Sequence, residues 1–137
     1  MKNCSDEFLL EHLVKSKAND PYNSITSASA LLFLNPNINI KKLAYEANMC
    51  LKSFELKFAC QVGLPPKLFA RITRFNYALL LKTQNVLKNW TDIAHKCGYY
   101  DQMHFIKEFK QFAGDTPVNF YKETPLPREN YIHSMEE

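Results

Sequence analysis

Residues 43–69 read LAYEANMCLKSFELKFACQVGLPPKLF, and residues 93–120 read IAHKCGYYDQMHFIKEFKQFAGDTPVNF. The second stretch echoes the first. Leu43, Ala44, Asn48 and Met49 recur fifty positions later as Ile93, Ala94, Gly98 and Tyr99. Phe54, Phe58, Gly63, Pro66 and Phe69 recur fifty-one positions later as Phe105, Phe109, Gly114, Pro117 and Phe120, so one residue has entered between the two blocks. Nine matched positions in one order mark a duplicated supersecondary unit. In each copy a small residue precedes a turn residue, and two phenylalanines four apart follow it. That pattern reads as helix, tight turn, helix. Two such units in tandem present two similar helices to one long ligand.

Reading outward, Ser5, Asp6 and Glu7 form a helix start, followed by the apolar residues Phe8, Leu9, Leu10, Leu13 and Val14. Asp20-Pro21 is expected to break that helix. Residues 24–34 read as the next helix, ended by Asn35-Pro36-Asn37. Asn39 caps a helix over 40–47, Asn48 tolerates the positive φ of the turn, and 51–61 carries Phe54 and Phe58 on one face. After Gly63, Pro65-Pro66 opens a connector helix from Lys67 to about Lys82, with Phe69, Ile72, Phe75, Leu79 and Leu80 as its buried stripe. Residues 85–89 form a loop, Trp90 or Thr91 opens the second unit, and Gly98 makes its turn. Asp101 caps the following helix, and a short last helix runs to about Lys122. The expected fold is all-α: two helix-turn-helix subdomains joined by a long connector helix, with an extra N-terminal helical segment. The expected divisions are 1–23 as that segment or a linker from an upstream domain, 24–82 as the first subdomain with its connector, 83–123 as the second, and 124–137 as a flexible tail.

A chain of 137 residues has room for one domain or two small lobes with a real core, but not for a second catalytic domain. No apolar run is long enough for a membrane span, and Met1-Lys2 is not followed by the pattern that export requires, so the protein is expected to be cytoplasmic. Cys4, Cys50, Cys60 and Cys97 form no CxxC pair and are expected to be free thiols, several of them buried. His95, Cys97 and His104 match no zinc spacing, so neither metal nor cofactor is expected. No nucleophile with a paired base and no phosphate loop is present, which argues against an enzyme. The net charge of +3 is unevenly spread: residues 21–123 hold thirteen basic and seven acidic side chains, a net +6. That excess suits a polyanionic partner.

In a helix-turn-helix the first helix braces the phosphate backbone and the second enters the major groove. Ala44 and Ala94 let the paired helices cross closely, and the outer face of each second helix is left to meet bases. Residues 40–121 resemble the DNA-binding domain of the AraC/XylS family of bacterial transcription regulators. The likeness rests on Gly98-Tyr-Tyr-Asp-Gln-Met-His-Phe-Ile-Lys-Glu-Phe-Lys110 with Gly114-Asp-Thr-Pro117 and Phe120-Tyr121, and on 43–58 with Gly63-Leu-Pro-Pro66. The resemblance implies seven helices and two helix-turn-helix units joined by a long helix. It also implies that Gln102, Met103, His104 and Lys107 face bases or phosphates in the second unit. Gln can bridge adenine, and Lys can reach guanine or a phosphate. Met103 either touches a thymine methyl or packs, and His104 lies on the groove face or in the core. Tyr100 and Lys110 are expected at the DNA backbone.

The first unit departs from the family pattern. Its matched positions are Lys52, Ser53, Glu55 and Leu56, where Leu56 cannot donate a hydrogen bond and Glu55 repels phosphates unless aimed at a cytosine amino group. Lys57 is expected at the backbone, and so are Arg71 and Arg74, unless the arginines brace the fold by salt bridges. The sequence thus points to sequence-specific binding of double-stranded DNA for transcription regulation. The alternative is a protein-interaction module of the same fold that binds a partner regulator or RNA polymerase with little base readout. The resemblance also allows an upstream sensing domain outside this chain.

Overall fold

The computed structural model describes residues 21–123, with side chains from 24 to 122. Among the described residues it has seven helices and no strand: α1 Pro21–Leu34, α2 Ile40–Glu46, α3 Leu51–Val62, α4 Pro66–Gln84, α5 Trp90–Lys96, α6 Gln102–Ala113 and α7 Pro117–Glu123. None of them is long and apolar enough to cross a membrane. The helix start proposed at Ser5 and the tail from 124 lie outside the described residues. The helix that Asp20-Pro21 was expected to end lies outside the described residues, and the next helix begins at Pro21. Proline occupies the first position of α1, where its missing N–H costs nothing.

The chain divides into two compact units, with the break between Arg74 and Phe75, inside α4. In the first, Ile25, Ala28 and Leu32 of α1 form the core with Leu43 and Ala44 of α2, Phe54 and Phe58 of α3, and Ala70 of α4. In the second, Ala78 and Leu81 of α4 join Ile93, Ala94 and Cys97, then Tyr99, Phe105 and Phe109. Each half of α4 therefore serves a different core. The stripe on α4 is also narrower than expected. Leu80 is exposed, and the small residues Ala70 and Ala78 are buried, because close helix approach needs short side chains at the contact.

The repeat reaches further upstream than its large apolar residues reveal. Asn35 N–H donates to the Leu31 carbonyl at 2.9 Å, and Asn85 N–H donates to Leu81 at 3.1 Å. Asn39 and Asn89 both cap the next helix, accepting from Lys41 and Asp92 N–H groups. Each unit is thus a leading helix, an Asn-bounded loop and a helix-turn-helix.

The turns themselves are alike bond for bond. Met49 N–H donates to Ala44 and Asn48 N–H to Tyr45, both at 3.0 Å. Tyr99 N–H donates to Ala94 and Gly98 N–H to His95, both at 3.1 Å. This pair of bonds is a Schellman closure, which needs a left-handed residue after the helix. Asn48 at φ 54° and Gly98 at φ 78° supply it.

Lys82 secures the second unit's loop. Its ammonium donates to the carbonyls of Val86 at 2.8 Å and Lys88 at 2.6 Å, and lies 5.1 Å from the centre of the Trp90 ring. Burial holds this ammonium below the usual lysine value.

Candidate nucleic-acid interface

Helix α6 is fixed from below by aromatic packing. Phe105 and Phe109 are fully buried, and their rings meet Trp90 at 5.6 and 5.7 Å. Phe109 also meets Phe75 at 5.1 Å and Phe120 at 5.6 Å. With that face anchored, Gln102, Met103, His104, Lys107 and Lys110 all reach solvent. The amino end is tied by Asp101, whose carboxylate accepts the His104 N–H at 2.6 Å. Asp101→Ala should therefore cost about 1 kcal/mol of stability, and Asp101→Asn much less, because either cap oxygen can accept that bond. Urea midpoints of the three proteins check this, and equal losses in both variants would contradict it.

One charged side chain on α6 faces inward. Glu108 is only 4% exposed and accepts from the Tyr99 hydroxyl at 3.3 Å, while His104 Nε2 stands 3.7 Å from its other oxygen. His104 is accordingly at the margin of the outer face: 44% of its side chain is exposed, and its ring meets the edge of Tyr99 at 5.4 Å. Glu108 falls on the same helical stripe as Phe105 and Phe109, where a charge needs partners. Tyr100, at 93% exposed, projects just ahead of the helix.

On α3, Phe54 and Phe58 are fully buried and pack at 5.8 Å, so Lys52, Glu55, Leu56 and Lys57 are exposed. Ser53 is half-buried. Arg71 and Arg74 of α4 are half-buried, and both are engaged by interactions within the protein. Cys97 is buried, but Cys50, the N-cap of α3, and Cys60, in its last turn, are exposed, against the expectation that several thiols would be enclosed. Among the described residues, no three His, Cys, Asp or Glu side chains are placed to hold a metal ion.

Lys88, in the loop after α4, and Lys96, in the last turn of α5, form a basic pair. The Lys88 ammonium is held below the usual lysine value, first by its hydrogen bond with Lys96, then by desolvation and the Lys96 charge, against the opposite pull of Asp92. Nothing in their spacing of eight distinguishes them from ordinary surface lysines; the loop after α4 brings them together.

A family model described as "Helix-turn-helix domain", of the AraC type, matches residues 43–123. The chain belongs to the AraC/XylS helix-turn-helix family. The comparison with curated proteins returns no match. The AraC-type match takes in α3, α6 and both turns, and the function it carries is DNA binding in transcription regulation. The α3 set of exposed residues belongs to the first unit of this AraC-type domain and the α6 set to the second.

Proposed function

We propose that the protein binds double-stranded DNA in a sequence-specific manner, with α6 docked in the major groove as the principal reader. The observation that carries this reading is the outer face of α6: Gln102, Met103, His104 and Lys107 are exposed together on a helix whose opposite face is locked by Phe105 and Phe109. Gln102 bridges adenine, Lys107 takes guanine or a phosphate, and Tyr100 and Lys110 hold the backbone. In the first unit Lys52 and Lys57 hold phosphates, and Ser53 and Glu55 stand beside the bases. Arg71 and Arg74, engaged within the protein, serve it first as braces.

Salt dependence tests the electrostatic part. The logarithm of the binding constant should fall linearly with the logarithm of salt concentration, and Lys107→Ala should reduce the slope by about one unit if Lys107 meets a phosphate. An unchanged slope would assign Lys107 to a base or to solvent.

A second reading has its own support. Leu80, Val86 and Leu87 leave apolar surface at the end of α4 and in the loop after it, which suits a partner regulator or RNA polymerase. A gel-shift series on random and promoter DNA separates the two: binding to neither favours the protein partner.

A further inference from the structure

The offset of fifty-one residues pairs Lys52 with Met103 and Leu56 with Lys107. At these matched positions each second helix carries a lysine and a long apolar side chain, four residues apart on the same face, and the order is reversed between the copies. Leu56 is 60% exposed and Met103 61% exposed, although the cores beneath them are complete without either. Among the bases, only thymine shows an apolar group at the major-groove edge, its C5 methyl.

Resting on the DNA-docking reading above, we propose that Leu56 and Met103 each read a thymine methyl in the major groove. Leu56 is then a changed contact, not a lost one: the first unit reads by apolar contact where the second combines it with hydrogen bonds from Gln102. The lysines decide the partner. Lys52 lies one turn before Leu56 on the same face, and Lys57 and Glu55 are its neighbours in the chain; all three are exposed, so cations outnumber the one carboxylate around the rim of the apolar spot. On α6, Lys107 and Lys110 give Met103 the same kind of rim.

The test uses deoxyuridine, which pairs as thymine does and lacks only the methyl. On a site selected from random double-stranded DNA, each thymine is replaced in turn, and affinity is measured by fluorescence anisotropy at fixed salt. Two positions should each weaken binding about fourfold, the value of one buried methyl-sized group. One of these effects should vanish in Leu56→Ala and the other in Met103→Ala, variants whose melting curves should match the parent because both side chains are exposed. Indifference to every replacement, with preference for the site retained, overturns the methyl proposal and leaves the docking reading standing. Sensitivity that survives both alanine variants overturns it as well, and sensitivity silenced by only one of them removes the other residue from it. Failure to enrich any site overturns both readings.

Discussion

Phe105→Ala is expected to destabilise the second unit by about 3–5 kcal/mol. The ring has no exposure and touches Trp90, Tyr99 and Phe109 at 5.6, 5.1 and 5.7 Å. Its neighbours are themselves large rings pinned by further partners, Trp90 on Tyr121 at 5.0 Å and Phe109 on Phe75 at 5.1 Å, so they cannot close over the cavity. A site that cannot collapse sits at the upper end of the range for such truncations. The protein has one tryptophan, and it lies in this cluster, so Trp90 fluorescence during urea unfolding reports the second unit directly. Binding of DNA should be lost with the fold, because α6 owes its position to Phe105. A loss below about 1 kcal/mol would mean that the aromatic cluster is looser than its distances indicate.

Gln102→Ala should weaken binding to the preferred site by about 1–3 kcal/mol and leave binding to random DNA unchanged. Gln102 opens α6 beside the Asp101 cap, and its exposed amide is the group at that end able to make two hydrogen bonds to one adenine. Because the side chain is exposed, stability should stay within about 0.5 kcal/mol, which separates a recognition loss from a folding loss. Competition assays against specific and random duplexes measure the ratio. Equal weakening on both would make Gln102 a phosphate contact.

The parts of the fold that could be read from sequence are those in which one residue type is demanded by local geometry. Asn39 and Asp101 stand where a cap is needed, and Asn48 and Gly98 where the chain turns left-handed. The paired phenylalanines of α3 and α6 mark the buried face by spacing alone. Other features depend on what packs against a residue. Leu80 fits the α4 stripe by periodicity yet faces solvent, while Ala78 beside it fills the core because its size suits a close contact. The first described helix begins at Pro21, three residues before the expected start at Ser24, because proline fits the first helical position. The upstream extent of the repeat rests on Asn35 and Asn85, whose role is a loop hydrogen bond that no hydrophobic pattern records.

The candidate site divides along the same line. The outward residues of α6 follow from the anchors beneath them, so their exposure was legible in advance. The inward position of Glu108 follows from its stripe, but its contacts with Tyr99 and His104 were not legible, since one of them needs a residue on the turn to meet one two turns into the helix. The same is true of the Lys88 and Lys96 pair. The two copies repeat the scaffold, whereas the outer faces of α3 and α6 carry lysine and apolar residues in opposite order.

Selection of bound sequences from a random double-stranded pool tests the central claim most directly. Sequence-specific docking predicts an enriched motif whose strongest positions lose their preference in Gln102→Ala and keep it in Asp101→Asn. An unenriched pool, or a motif indifferent to every exposed residue of α6, would contradict it.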